Sequence, residues 1–289
     1  MEDRRPFAFW ALAALFSLFL LFLYGPTLTI LVLSFQGPEG GLTFPMQGAS
    51  LHWYRVLWQG VGVVDIWSAF RRSVALGLVV MVLTTVIALA AGYAFRRRFP
   101  GQGALFQLSI ASLIVPSIVV SLGIALEFRL LDDMVKALGE AYDIAWINEG
   151  YTTAMGLFSS GLGAHLTWTL PFGLLIMFAV FNRFPGALEE AGRDLGASPW
   201  QVFRHVVLPL IGPSLVGVAL FGFTLSWDEI ARTSQAIGDR NTLPLELQGL
   251  TTTVTTPEIY ALGTLTTGVS VLVIGTSFAA IALWRRVRR

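Results

Sequence analysis

Long apolar runs alternate with short polar segments along this chain. Six runs carry no Asp, Glu, Lys or Arg: Phe7–Phe35, Ser73–Phe95, Ala104–Leu126, Tyr151–Asn182 (polar mainly at His165), Val206–Trp227 and Ile259–Trp284. Each exceeds the roughly 18 residues that cross a hydrocarbon core of about 30 Å as a helix. A lone strand would leave its backbone groups unpaired in lipid, and the period-two alternation of a barrel wall is absent. The pattern predicts an all-α membrane protein with about six transmembrane helices.

Composition agrees with the pattern. Of 289 residues, 55% are hydrophobic and 13% charged, against roughly a quarter charged in soluble domains. The Arg4-Arg5 pair ahead of the first run raises a signal-peptide reading. That run, however, is about twice the usual length of a signal core and no clear A-x-A site follows, so an uncleaved first span is expected. There is no cysteine, hence neither a disulfide framework nor a thiolate metal site.

Charge then orients the spans. If they alternate from a cytoplasmic N-terminus, the inner segments hold Arg4, Arg5, Arg96, Arg97, Arg98, Arg183, Arg193, Arg204, Arg285, Arg286, Arg288 and Arg289, which is 12 of the 19 basic residues. The same segments hold only Glu2, Asp3, Glu189, Glu190 and Asp194, for a net +7 inside and −6 elsewhere. Lys/Arg excess marks the cytoplasmic side, so both termini are expected there. Arg71 and Arg72 fall at the outer end of the second span, either snorkelling to headgroups or serving function.

The chain lacks the machinery of several enzyme classes. A phosphate-binding loop needs G-x-x-x-x-G-K-[ST], yet the single lysine, Lys136, is followed by Ala137. H-E-x-x-H is missing as well, with His52, His165 and His205 scattered. The expectation is a non-enzymatic chain with no cofactor of its own and no nucleic-acid partner, whose energy source lies elsewhere.

The most informative polar segment runs from Leu188 to Pro209. Leu188, Ala191 and Leu195 recur at i, i+3, i+7 and share one helical face, with Glu189, Glu190, Arg193 and Asp194 largely elsewhere, which predicts a short surface helix. Gly196 ends it, Ser198 suits the cap of a following helix, and Pro199 suits that helix's first position.

This segment resembles the EAA motif, E-A-A-x3-G-x9-I-x-L-P, of permease subunits of binding-protein-dependent ABC importers with the type I fold. Glu190-Ala191-Gly192, Gly196, Val206, Leu208 and Pro209 fall at the motif's spacing, with Gly192 replacing an alanine and Val206 an isoleucine. Glycine at 192 is expected to loosen the first helix by about 1 kcal/mol relative to alanine. The resemblance implies a coupling helix docking on an ATPase, with Glu190, Ala191, Gly192, Asp194, Gly196, Ala197, Leu208 and Pro209 as the docking residues. The alternative is an amphipathic helix lying on lipid headgroups.

The stretches Phe223–Glu229, Thr242–Leu245 and Pro257–Leu262 are similar to the polyamine permease subfamily of the spermidine/putrescine type, whose relatives also carry opines and phosphonates. The resemblance implies one permease domain over 1–289, with a core at 70–285 and a coupling loop at 183–210. It implies a bacterial inner-membrane location, an ABC ATPase dimer that holds ATP and Mg, a second permease subunit forming a heterodimer, and an extracytoplasmic solute-binding protein. Asp228 and Glu229, at the end of the fifth apolar run, are the candidate substrate contacts, with Trp227 as a cation–π face. Against this, either acid can instead pair with Arg232 at i, i+3 or i, i+4. A self-contained secondary transporter is the remaining class, but the inverted repeats and intramembrane charge relays it requires are not visible.

Overall fold

The computed structural model describes residues 7–60, 65–253 and 256–287. The terminal pairs Arg4-Arg5 and Arg288-Arg289, with Glu2 and Asp3, lie outside these, as do the side chains of Arg285 and Arg286.

Among the described residues the chain is helical: α1 (Phe7–Leu33), α2 (His52–Gln59), α3 (Ile66–Ala94), α4 (Gln102–Ala111), α5 (Ser117–Ala141), α6 (Ala145–Gly150), α7 (Leu162–Asn182), α8 (Ala187–Asp194), α9 (Pro199–Val202), α10 (Leu208–Trp227), α11 (Leu243–Thr253) and α12 (Glu258–Val287). π-helical turns at Leu157–Gly161 and Phe203–Val207 lead into α7 and α10. Five continuous helices are long and apolar enough to cross a membrane: Phe7–Leu33, Ile66–Ala94, Leu157–Asn182, Pro199–Trp227 and Glu258–Leu283.

The third apolar run departs from a single span. α4 stops at Ala111, and α5 restarts at Ser117 with Pro116 as its N-cap at φ −55°, ψ 133°. Proline pushes the residue before it out of the α region and supplies no N–H of its own, so the run breaks there. α5 then continues past Leu126 through Glu127, Arg129, Asp132, Asp133, Lys136 and Glu140.

The fourth run begins its helix later than Tyr151 for a tertiary reason. The Asp132 carboxylate accepts the Tyr151 hydroxyl, the Thr153 hydroxyl at 2.5 Å and the Ala154 N–H at 2.8 Å. Those bonds hold the non-helical residues ahead of Leu157 against α5. Burial alone would raise the Asp132 carboxyl, but these donors and the Lys136 charge outweigh it and hold the group below the ordinary aspartate value.

Packing divides the described residues into two compact units, one comprising those up to Asp65 with those of 247–270, the other Ile66–Glu246 with those from Val271 onward. In the first, the Ser34 and Tyr54 hydroxyls share a hydrogen bond of 2.7 Å and the Tyr260 hydroxyl donates to the Leu42 carbonyl at 2.8 Å. Gln36, fully buried, organises the loop after α1 by accepting the Gln47 N–H at 2.7 Å and donating to the Gly41 carbonyl at 3.1 Å.

The second unit is built on α3, α7 and α10. Ala88, Met177, Phe181, Val207, Ile211 and Val218 form its apolar core. Within it the Thr84 and Thr169 hydroxyls pair at 2.7 Å, so neither is left without a partner where water is excluded.

Candidate functional site

The polar segment between α7 and α10 folds as helix, tight turn, helix. α8 carries Glu189 and Glu190 in its first turn and Arg193 in its last, each placed favourably for the helix dipole. It ends in a Schellman turn: the Ala197 N–H donates to the Gly192 carbonyl at 3.1 Å and the Gly196 N–H to the Arg193 carbonyl at 2.8 Å. Gly196 sits at φ +83°, a left-handed conformation that a Cβ opposes.

The next helix is capped from both directions. The Ser198 hydroxyl accepts the Gln201 N–H at 3.3 Å, and the Gln201 side-chain carbonyl accepts the Ser198 N–H at 2.7 Å. This is a complete capping box with Pro199 at the first position of α9.

The polarity of α8 is inverted relative to a helix lying on a protein core. The shared face of Leu188, Ala191 and Leu195 points outward, with Leu195 89% exposed, whereas Glu189 is 5% exposed. Glu190, Asp194 and Gly196 are also exposed, and Gly192 and Ala197 are half-buried.

Gly192 turns toward the next helix, where an added Cβ would stand 3.2 Å from Val202 Cγ2. Its departure from alanine therefore matches a close approach between α8 and α9. With Leu195, Gly196, Ala197, Gln201, Val202, His205 and Val206, it lines an open cleft of about 470 Å³.

Leu208 and Pro209 do not join this surface. They are half-buried in the first turn of α10. Proline has no N–H for the carbonyl four residues earlier, and the π turn over Phe203–Val207 carries the chain past that gap.

The buried face of α8 is held by an ion pair that local sequence reading misses. Arg96, just beyond α3, bonds the Glu189 carboxylate, and Arg193 approaches the second carboxylate oxygen at 3.5 Å. The Arg96 guanidinium lies 5.3 Å from the ring centroids of Tyr93 and Phe181 and 5.4 Å from that of Phe184. Arg193 is legible as the i, i+4 partner of Glu189. Arg96 lies 93 positions away and reads only as one member of a basic cluster.

At the far end of α10 the candidate substrate contacts separate. Trp227 is 2% exposed, stacked on Phe223 at 5.8 Å and met edge-on by Phe70. It is a packing residue within this chain, with no open face for a cation. Glu229 accepts the Arg232 backbone N–H at 2.8 Å. Asp228 is exposed, and partial desolvation holds its carboxyl above the ordinary aspartate value.

Arg232 is fully buried, and neither acid forms an ion pair with its guanidinium. It donates instead to the Thr167 hydroxyl at 2.6 Å, the Ser112 carbonyl at 3.1 Å and the Ser117 hydroxyl at 3.2 Å, and covers the Trp168 ring at 4.8 Å. The alternative of an ion pair between this guanidinium and Asp228 or Glu229 is not formed, and its bonds instead secure the break between α4 and α5. His165 joins the same cluster, its two ring nitrogens 2.8 Å from the Ser226 hydroxyl and 2.9 Å from that of Thr233.

Arg72 also has a fixed role, donating to the Asn241 carbonyl at 2.8 Å. Arg71 reaches Ser68 at 3.2 Å.

Known proteins share this architecture. A bacterial alginate ABC transporter, solved in complex with an alginate pentasaccharide-bound periplasmic protein, aligns with a TM-score of 0.62 at 14% identity, covering 97% of this chain and 94% of that one. The spermidine/putrescine transport system permease protein PotC of Haemophilus influenzae is 29% identical over 246 residues, spanning 84% of this chain and 86% of the relative. The putrescine transport system permease protein PotI of Escherichia coli K12 is 28% identical over 250 residues, spanning 86% and 82%. Residues 84–288 match the family described as binding-protein-dependent transport system inner membrane component, and the chain belongs to that family.

Proposed function

We propose that this permease engages a separate ATPase through α8 and its Schellman turn, and that the solute it passes is a small cation of the polyamine type. The inverted polarity of α8 carries the first part. A short helix that buries a carboxylate and exposes Leu188, Ala191 and Leu195 leaves its apolar face for a partner. Leu195 projects at the rigid turn beside the exposed acids Glu190 and Asp194 and above the open cleft, a shape that suits a protein groove.

In this reading ATP and Mg bind an ATPase dimer and no cofactor sits on this chain, whose sequence holds no phosphate-binding loop. Residues 1–289 act as one permease domain with both termini cytoplasmic, as the arginine distribution favours. A second permease completes the pore as a heterodimer. A solute-binding protein delivers the substrate, in keeping with the family's description and the periplasmic protein bound by the alginate transporter. ATP-driven movement of α8 switches the pore between its two open directions through their different affinities for the partners.

Polyamine specificity is supported by the names of the relatives and by Asp228, whose carboxylate is exposed and has no hydrogen bond or ion pair within the described residues. Glu229 is committed to the Arg232 turn.

Co-purification tests the docking assignment. Glu190→Arg, Leu195→Glu and Gly196→Trp are expected to cut ATPase capture and abolish uptake. Leu195→Glu lies on an exposed side chain and so leaves the fold intact. Wild-type capture and ATP-driven uptake in all three would overturn it.

A further inference from the structure

We propose that Arg96 is a positioning residue that locks α8 to α3 and α7 through Glu189, so that displacement of α8 moves both spans as one body. The inference rests on the reading of α8 as the ATPase-docking element.

An eight-residue helix that exposes most of its surface needs a rigid attachment if its motion is to reach the bilayer. The chain connection alone does not supply one, because residues 183–186 form a turn rather than a continuation of α7. The Glu189 carboxylate does. It is 95% buried, as its 5% exposure states, and is held by Arg96 on one oxygen and Arg193 on the other. A pair so enclosed is screened far less by salt than a surface pair.

Arg96 in turn is fixed by three elements at once. Tyr93 belongs to α3, Phe181 to α7, and Phe184 to the turn before α8. A planar guanidinium can stack on rings and fork to a carboxylate together, whereas a lysine ammonium cannot do both. Tyr93 also packs edge-on against Phe181 at 5.7 Å and Phe203 at 5.5 Å, which extends the locked body to the π turn beneath α10. Gly192 packing on Val202 makes α8 contact the same turn region from its other end.

The test uses the assembled transporter with its ATPase and binding protein in proteoliposomes. Because the chain has no cysteine, nitroxide labels can be placed at Ala187→Cys on α8 and Ala94→Cys on α3, both exposed. In the otherwise native protein the distance between the labels stays fixed between nucleotide-free and ATP-trapped states. A changing distance overturns the proposal.

Arg96→Lys and Glu189→Gln are expected to retain ATPase capture and ATP hydrolysis within about twofold, while the ATP consumed per solute imported rises at least tenfold. In Arg96→Lys the label distance becomes nucleotide-dependent. The reciprocal Arg96→Glu/Glu189→Arg pair restores part of the lost coupling. Wild-type stoichiometry in Arg96→Lys, or hydrolysis and uptake falling in parallel, would count against a coupling role. Loss of docking by Leu195→Glu together with a mobile α8 would sink the lock alone, whereas intact docking in that variant would sink the underlying reading.

Discussion

The two polar segments at either end of α10 are built on opposite principles. At one end, the turn from Gly196 to Gln201 is closed by bonds between residues at most five apart. At the other, Arg232 reaches back 115 positions to Ser117, 65 to Thr167 and 120 to Ser112. The first shape is written in local chemistry, and a glycine, a serine and a proline at the right offsets specify it. The second exists only once α5 and α7 are in place. The locally specified segment presents itself outward, and the tertiary one is sealed inward.

If this contrast is correct, the largest loss of stability comes from the sealed end. Arg232→Ala leaves the half-buried Ser112 carbonyl and Ser117 hydroxyl without this donor, while the Thr167 hydroxyl keeps its bond to the Ala164 carbonyl, and is expected to cost about 1.5–3 kcal/mol. Thermal unfolding of the purified protein in detergent reads this as a lowered midpoint. Arg232→Lys recovers only part, because an ammonium cannot span the three acceptors along one plane. A midpoint unchanged in Arg232→Ala would show that the cluster is not what holds the α4–α5 break.

Substitutions in the local turn cost less and leave the rest of the fold alone. Gly196→Ala forces a Cβ into a left-handed backbone, at about 1–2 kcal/mol. Ser198→Ala removes half the capping box, at about 1 kcal/mol. Hydrogen exchange should rise at residues 195–202 while α3 and α7 stay protected. Exchange spreading into those spans would contradict the independence of the turn.

The smallest effect concerns Asp228. Its raised carboxyl pKa means that the neutral form persists to higher pH than for an ordinary aspartate. As pH falls through that raised value the negative charge is lost, and cation uptake is expected to decline earlier than an ordinary carboxylate would allow. Asp228→Asn lowers uptake several-fold and removes this component of the pH profile. Identical kinetics and pH profile in the variant would remove Asp228 from the substrate path.

The sequence made α8 and its turn legible because caps and breakers act over a few residues. It also gave the correct positions for most spans, since length and hydropathy are local quantities. It failed where the partner was distant. Glu189 reads as a surface acid because nothing nearby shows Arg96 arriving from the end of α3. Trp227 reads as an exposed aromatic beside two acids because Phe70, which closes over it beside its i−4 neighbour Phe223, arrives from α3. The third run reads as one span because Pro116 is common enough in membrane helices to be taken as a kink. Its conversion into a full break depends on Arg232 satisfying the carbonyl exposed at Ser112.

What ties α8 to transport is its outward apolar face, proposed as a protein-docking surface. Its most direct test is site-directed cross-linking from Leu195→Cys in this cysteine-free chain, with the ATPase and the solute-binding protein both present. A cross-link to the ATPase whose yield changes with nucleotide is expected, and none to the binding protein. A Leu195→Cys probe that reacts only with lipid-soluble reagents, with no ATPase adduct in an actively transporting preparation, would contradict it.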